Sequence, residues 1–224
     1  MMKDRLPSAE VFFPFWDKLS QEHRSDLISF ASAKTFGKGT LLLPFQDNCL
    51  GLLLIRNGRL RCFIVSDEGK EITLYRLHQF DICLFSASCM MNDIQFDIHI
   101  EAEKDTQVLV VPASLYHRLS TQSIDFSNYM NQLISSRFSD VMWTLEQILF
   151  KKMDSRIARS LIDQSDAEDD VRLSVTHDAI ARDLGTAREV VTRILKYFRN
   201  EGLIGLSRGQ IEILDRTGLE MLAE

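Results

Sequence analysis

The chain has 224 residues, of which 45% are hydrophobic and 26% are charged, and its formal net charge is −6. A chain of this length can form one large domain or two modest domains without disulfide bonds or structural metals, and its composition excludes long disordered segments. The sequence contains no run of 18 uncharged apolar residues and no signal-peptide pattern at its N-terminus, so we expect a cytoplasmic protein rather than a membrane or secreted one.

The negative charge is unevenly distributed along the sequence. Residues 171–214 carry seven Lys/Arg and five Asp/Glu, whereas the remainder carries 19 and 27. An acidic body with a mildly basic C-terminal part is compatible with local binding to a polyanion, which the net charge alone would disfavour.

The first half of the chain predicts a helix followed by a β domain. Apolar residues between Phe12 and Thr35 have near-helical spacing. From Phe36 onward, short apolar or alternating runs are separated by glycine-containing segments, of which Asn57-Gly58 and "SDEG" (residues 66–69) are hairpin signals. Strands at this spacing indicate an all-β sandwich or barrel.

A long helix is predicted next, after a shorter helix that Pro112 opens. It covers about residues 123–153, and its apolar residues repeat at intervals of 4, 3, 4 and 3, which is the spacing of a coiled-coil seam. One alternative is a helix that packs only on its own domain. We favour a parallel homodimer in which the seam meets a second copy. The predicted interface residues are Ile134, Phe138, Val141, Leu145 and Ile148.

The C-terminal part predicts a helix-turn-helix. A short helix from Met153 and an acidic loop over Ser165–Asp170 come before it. Thr176 is a suitable N-cap, and Ala181, Gly185 and Val191 provide the small residue, the turn glycine and the branched apolar residue of this motif.

The second helix of this motif, predicted over residues 186–199, carries a polar stripe that predicts contact with DNA. Arginine can donate two hydrogen bonds to guanine, and glutamate can accept one from cytosine. A turn at Arg208-Gly209 between apolar residues predicts a wing that could contact the DNA backbone. The alternative is a solvated face with ion pairs such as Glu189–Arg193. The predicted DNA-binding residues are Thr186 (also a cap candidate), Arg188, Glu189, Thr192, Arg193, Lys196 and Arg208.

These motifs resemble the Crp/Fnr superfamily of bacterial transcription regulators. The similarity is strongest in "LGTAREVVTRILKYFRNEGLI" and extends to "LLIRNGRLRCF" and "DEGKEITLYRL". The resemblance implies an α+β fold with an N-terminal β-roll, which is a double-stranded jelly roll of the cyclic-nucleotide-binding type (residues 1–121). A dimerisation helix (122–153) and a winged helix-turn-helix (154–224) would follow. It also implies that Arg188, Glu189 and Arg193 read a palindromic, TGTGA-like half-site, that the protein is not an enzyme, and that RNA polymerase is a further partner.

The β-roll sequence departs from the family's cyclic-nucleotide site. Phe80-Asp81 stands where cyclic-nucleotide binders have Gly-Glu, and no arginine lies between Arg76 and Arg118 to neutralise a buried phosphate, so cyclic AMP is disfavoured. The cysteine cluster of the iron–sulfur branch is also missing, since the first cysteine is Cys49.

The sequence is therefore compatible with several kinds of effector. Cys83 and Cys89 could form a thiol switch, ligate a metal or hold haem, or they could be buried apolar residues. His78, His99 and His117 are candidate haem ligands, and the absence of any cofactor is a further alternative. An apolar ligand is a further alternative, because this loop is rich in apolar residues: Phe80, Phe85, Met90, Met91, Ile94 and Phe96.

Two other functions compete with DNA binding. A cupin-like enzyme with a fused interaction domain would need a metal cluster, of which only His99 and Glu101 are present. A helix-turn-helix used for protein contacts would bind no duplex, or would bind it without the steep salt dependence of protein–DNA complexes.

Overall fold

The computed structural model describes residues 8–42, 50–84, 86 and 98–223. The chain forms two compact units. The first comprises the segment up to Ile64 together with Leu74–Val141, and the second comprises Val65–Thr73 together with Met142–Glu224. Within the described ranges, no helix is long and apolar enough to cross a lipid bilayer.

The first unit combines two four-stranded antiparallel sheets with helices. One sheet has the strand order β1-β8-β3-β6 and the other the order β2-β7-β4-β5. Two short 3₁₀ turns, Ala9–Phe12 and Trp16–Lys18, come before these elements. The strands are β1 (Ser32–Phe36), β2 (Leu41–Leu42), β3 (Leu52–Asn57), β4 (Leu60–Val65), β5 (Glu71–Leu77), β6 (Ile82–Cys83), β7 (His99–Ala102) and β8 (Thr106–Val111), and the helices are α1 (Gln21–Phe30), α2 (Ala113–Gln122) and α3 (Ile124–Phe150). The last residue of β4, the first three residues of β5 and the part of α3 from Met142 onward belong to the second unit.

Strand β3 lies at the centre of this unit because both of its faces are apolar. Leu53 and Ile55 pack between the two sheets, whereas Leu52 and Leu54 pack against the N-terminal segment and the helices. Since successive side chains of a strand point to opposite faces, the continuous run "LLLI" is what a strand buried on both sides requires. The jelly-roll fold that the resemblance implies is confirmed.

Two sequence predictions about this unit are wrong in detail. The predicted helix over Phe12–Thr35 is limited to α1, and its last residues form β1, which pairs with β8. Asn57-Gly58 does not close a hairpin, because β3 and β4 belong to different sheets. Gly58 is required there because a Cβ would lie 2.6 Å from the Asp105 carbonyl oxygen. The hairpin predicted at residues 66–69 is confirmed between β4 and β5.

Ion pairs connect the polar side chains of the β-roll. Glu103 accepts hydrogen bonds from Arg76 (2.9 Å) and forms an ion pair with Arg59 (2.8 Å). Burial raises the pKa of Glu103, but the hydrogen bond from Arg76 and the positive charges of Arg76, Arg59 and Arg61 outweigh this effect. The pKa therefore lies below its ordinary value.

Helix α3 directs one face inward and leaves another exposed. The Ser123 hydroxyl accepts the Phe126 N–H at its start. Phe126 and Met130 are buried among aromatic rings of the first unit. Farther along, Arg137 forms an ion pair with Asp140 (2.8 Å). Closer to its C-terminal end, α3 carries large exposed apolar residues, which are described with the candidate interface below.

The second unit is a three-helix core with a small antiparallel sheet and a C-terminal helix. Its apolar core includes Ile157, Leu161, Val191, Phe198 and Leu219. The three strands have the order β10-β11-β9. Its elements are α4 (Met153–Glu168), β9 (Arg172–Leu173), α5 (His177–Leu184), α6 (Arg188–Asn200), β10 (Ile204–Ser207), β11 (Gln210–Ile213) and α7 (Arg216–Ala223).

The predicted acidic loop Ser165–Asp170 is mostly helical. Helix α4 continues to Glu168 and ends where Asp169 adopts a left-handed conformation, with φ +49°. Ser165 is buried, and its hydroxyl donates to the Asp170 carbonyl at 2.9 Å. This buried turn keeps the acidic run in the helix, so the prediction based on charge alone was wrong.

Candidate nucleic-acid interface

Helix α5 is held at both ends by the residues that the sequence indicated. The Thr176 hydroxyl accepts the Ala179 N–H at 3.1 Å, which is an N-cap. Gly185 ends the helix with φ +66°, a left-handed conformation that glycine adopts without steric cost. The Arg156 guanidinium donates to the Leu184 carbonyl at 2.8 Å and satisfies one of the free carbonyls at this end. The conformation of Gly185 and the hydrogen bond from Arg156 therefore fix the turn that sets the direction of the next helix.

Helix α6 starts two residues later than the sequence predicted. Ala187 occupies the N-cap position without a side-chain hydrogen bond, and Arg188 is the first helical residue. Thr186 is half-buried in the turn, and its N–H donates to the Ala181 carbonyl at 3.0 Å. The prediction that Thr186 caps this helix is wrong, since Ala187 stands at that position.

One face of α6 is buried and the other lines an open groove. Val191, Leu195 and Phe198 are fully buried in the core of the second unit. This arrangement leaves the polar residues of the helix facing outward. The reader groove, as we name it, is lined by Arg188, Glu189, Thr192, Arg193, Lys196, Tyr197 and Asn200.

The structure thus brings five of the seven predicted DNA-binding residues into one groove. Tyr197 and Asn200 also line it and were missed by the sequence interpretation. Tyr197 is 48% exposed although it is aromatic. The signal that could have found them is spacing: Tyr197 follows Arg193 by four residues, and Asn200 follows Lys196 by four, so each lies one turn below a predicted reader.

Two contacts connect the reader groove to α5. Arg188 forms an ion pair with Asp178 at 3.4 Å, in which both side chains are more than half exposed. Such an exposed pair contributes little to stability, so Arg188 can exchange Asp178 for a ligand at small cost. The second contact is a hydrogen bond of 2.9 Å between the His177 Nδ1 atom and the Thr192 hydroxyl, and both of these residues are half-buried.

A two-stranded wing follows α6, as the sequence predicted. Strands β10 and β11 pair from Ile204–Ile213 to Ser207–Gln210, and the turn at Arg208-Gly209 connects them. Arg208 is exposed at this turn. On the other edge, β9 pairs with β11, and Arg172 forms an ion pair with Glu212 at 3.1 Å.

The predicted seam of α3 lies mostly on its exposed face. Ile134, Phe138 and Leu145 are 42%, 65% and 42% exposed, whereas Val141 and Ile148 are half-buried in the same chain. Met142 and Leu149 are exposed as well and extend the same row of side chains. We call Ile134, Phe138, Met142, Leu145 and Leu149 the outer row of α3.

The residues proposed to sense an effector are only partly described. Cys83 is fully buried, and Cys62 of β4 lies in the same core cluster. The hydrogen bond with Cys83 and burial raise the pKa of the Cys62 thiol well above its usual range. A thiol with a raised pKa reacts slowly with oxidants. Cys89 and the apolar residues Phe85, Met90, Met91, Ile94 and Phe96 lie outside the described residues.

The candidate metal and haem ligands of the described segments are dispersed. His99 stacks on Phe63 with ring centroids 5.3 Å apart, and Glu101 accepts a hydrogen bond from Arg61 at 3.1 Å. Burial and the charge of Arg59 hold the pKa of His78 below its ordinary value. Nowhere in residues 8–42, 50–84, 86 and 98–223 do three His, Cys, Asp or Glu side chains come together as a metal site.

A winged helix-turn-helix with an exposed, mainly basic reader groove defines the class of DNA-binding transcription regulators. Residues 155–222 match the Crp-like helix-turn-helix domain. The chain superposes with a TM-score of 0.89 on the crystal structure of a Crp/Fnr-family transcriptional regulator from Eubacterium rectale. The two chains are 46% identical, and the match covers 95% of this chain and 98% of that one.

Curated relatives agree with this structural match. The transcriptional regulator SdrP of Thermus thermophilus is 31% identical over 176 residues, which is 76% of this chain and 82% of SdrP. The cyclic AMP receptor protein of the same organism is 23% identical over 210 residues, which is 94% of this chain and 96% of the relative. The chain belongs to the Crp/Fnr family of transcription regulators.

Proposed function

We propose that the protein binds a palindromic DNA site as a homodimer and reads each half-site with α6. The observation that carries this proposal is the reader groove. Its guanidinium and carboxylate groups are exposed on one face, while Val191, Leu195 and Phe198 anchor the opposite face in the core. Helices with such a polar face enter the major groove and contact base edges there. Arg188, Glu189 and Arg193 are the proposed base readers, and the half-site is TGTGA-like.

The outer row of α3 supports the dimer. These five apolar side chains are between 42% and 65% exposed and would be buried by a second copy with the same row. In a parallel dimer the two copies of α6 enter successive major grooves, about 34 Å apart. We assign residues 1–121 to the β-roll, 122–153 to the dimerisation helix and 154–224 to the DNA-binding domain.

The β-roll is the proposed site of control. The signal is redox, haem or nitric oxide, or a small apolar ligand, with Cys83 and Cys89 as candidate residues. The proposed location is the cytoplasm, where the DNA lies, and RNA polymerase is the proposed further partner. The absence of an arginine between Arg76 and Arg118 continues to disfavour cyclic AMP.

In vitro selection of duplex DNA by the full chain tests the proposed function. We expect enrichment of a two-fold symmetric site whose half-sites are centred one helical turn apart. Repeating the selection on protein purified without oxygen tests the signal, since a redox-dependent cofactor would change both the colour of the protein and its affinity. Recovery of unrelated sequences with no symmetry would refute the proposed dimeric reader.

A further inference from the structure

The hydroxyl of Thr192 is engaged within the protein, although its side chain lines the reader groove. Thr192 lies one turn after Arg188 and one residue before Arg193. Its hydroxyl oxygen is 2.9 Å from the His177 Nδ1 atom of α5, so this bond connects the two helices of the motif. A hydrogen bond of this length holds the threonine χ1 angle in one rotamer, because the β-branched side chain rotates as a rigid unit.

Threonine has two groups that can contact a base, a hydroxyl and a γ-methyl, and the bond with His177 engages the hydroxyl. A hydroxyl reads bases of several kinds by hydrogen bonds, whereas the γ-methyl group makes an apolar contact with the C5-methyl of thymine in the major groove. The bond uses one hydrogen-bonding position of the hydroxyl and keeps it turned toward α5, so we expect the methyl to be the group that Thr192 presents to a base edge. The neighbouring Arg188, Glu189 and Arg193 offer only charged groups, so the groove would otherwise contain little that distinguishes thymine.

We propose that Thr192 selects a thymine in the half-site through its methyl group, and that His177 is the residue that positions it. This inference rests on the proposed function, because it requires α6 to lie in the major groove. His177 acts through Thr192 in this scheme and needs no contact with the DNA.

A double-mutant cycle on protein and DNA tests the methyl contact. In the selected site, each thymine is replaced singly by deoxyuridine, which removes only the C5-methyl. We expect one thymine at which the replacement weakens the wild-type protein on the order of fourfold per half-site, the effect of exposing one methyl-sized apolar group. Thr192→Ser, which lacks the γ-methyl, should bind both duplexes equally. Thr192→Val keeps a methyl but loses the bond with His177, so its discrimination should be reduced without disappearing.

Variants of His177 test the positioning role. His177→Ala should reduce the thymine discrimination at the same base, and His177→Asn, whose amide can approach the position of Nδ1, should restore most of it. The melting temperature of each variant shows whether the domain is folded, and the discrimination ratio is insensitive to a uniform loss of active protein.

The outcomes separate this inference from the proposed function. If the wild-type chain binds no specific duplex, the proposed function fails and the inference fails with it. If binding is specific but Thr192→Ser keeps the sensitivity to deoxyuridine, another group reads the base. If His177→Ala leaves the discrimination unchanged, His177 does not position Thr192. Either result overturns only the inference.

Discussion

Gly185 meets two independent constraints at the turn between α5 and α6. Its φ of +66° is strained for any residue with a Cβ, and a Cβ placed there would lie 2.5 Å from the Cγ1 atom of Ile72 within the second unit. We expect Gly185→Ala to lower the free energy of unfolding by at least about 1–2 kcal/mol, the cost of the left-handed conformation alone. Urea denaturation followed by circular dichroism measures it.

Gly209 provides the matched control for this change. It also has a positive φ, of +75°, but a Cβ there meets no atom within 4 Å. Gly209→Ala should therefore show only the conformational cost. Equal losses at the two positions would mean that the side chain of Ile72 moves aside without penalty.

Arg193 is the reader whose loss should affect specificity most directly. It is exposed in the reader groove, and Arg193→Ala should weaken binding to the selected site by about 1–3 kcal/mol while leaving non-specific binding nearly unchanged. Competitive gel-shift titrations on the selected and on a scrambled duplex give both values. Arg199→Ala is the control, because Arg199 is exposed on the same helix outside the groove. An unchanged preference in Arg193→Ala would contradict the assigned role.

Sequence reasoning found the turn glycine and most of the groove because both follow from local rules. Gly185 and the spacing of Arg188, Thr192 and Lys196 are visible in the sequence as turn chemistry and helical periodicity. The bond between His177 and Thr192 was not visible, because it joins two helices whose crossing is set by the packing of Ile180, Val191 and Leu195. The N-cap of α6 was predicted at Thr186, one residue before Ala187, which occupies that position.

At the scale of elements, the outer row of α3 predicts how the protein associates. Leu145→Glu should convert a dimer into a monomer at micromolar concentration, because a carboxylate would be buried against the apolar row of the second copy without a partner. Sedimentation velocity measures the change. Ser136→Glu is the matched control, since Ser136 is exposed on the same helix away from the row. A Leu145→Glu variant that still sediments as a dimer would place the interface elsewhere.

The ion pairs around Glu103 make the stability of the β-roll depend on pH. The folded-state pKa of Glu103 is lowered, so its stabilising effect is fully present above the ordinary glutamate pKa and is lost as the pH falls through the lowered value. We expect the melting temperature to fall between about pH 5 and pH 3, a range set by the ordinary carboxylate pKa values. Glu103→Gln should lose about 1–3 kcal/mol at neutral pH, because Arg59 and Arg76 lose their charged acceptor.

Comparison of pH profiles identifies the contribution of this carboxylate. The difference in melting temperature between the wild type and Glu103→Gln should shrink as the pH falls, whereas Glu146→Gln, on the exposed surface of α3, should follow the wild type throughout. A difference that stays constant with pH would show that the carboxylate charge is not what stabilises the β-roll.

Secondary-structure elements were predicted correctly where one sequence rule applied. The predictions were wrong where two rules competed. The winged strands and α3 follow from periodicity and turn residues, and both were found within a few residues. Asn57-Gly58 has the sequence of a hairpin, but β3 is buried on both faces and the chain crosses there to the other sheet. The acidic end of α4 has the composition of a loop, but the burial of Ser165 keeps it helical. Tertiary packing decided both cases.

For the molecule as a whole, the negative net charge and the basic reader groove together predict that the affinity for DNA depends strongly on the salt concentration. If Lys196 and Arg208 of each protomer contact phosphates, a dimer neutralises about four charges, and the logarithm of the association constant should fall with a slope of roughly −3.6 against the logarithm of the salt concentration. Lys196→Gln should reduce this slope by about 2, one charge for each protomer. Fluorescence anisotropy over 50–200 mM salt measures it. A slope near zero would favour a helix-turn-helix that contacts protein.

The second compact unit is assembled from two stretches that are distant in sequence. Val65–Thr73 belongs to it together with Met142–Glu224, and the Thr73 hydroxyl donates to Asp183 at 2.7 Å. A gene fragment that begins at residue 142 would therefore encode an incomplete unit. Such a fragment would leave the surface beside Gly185 uncovered and Asp183 without this donor. Dissection of the protein into independently expressed halves would consequently require a circular permutation or a grafted loop rather than a simple truncation.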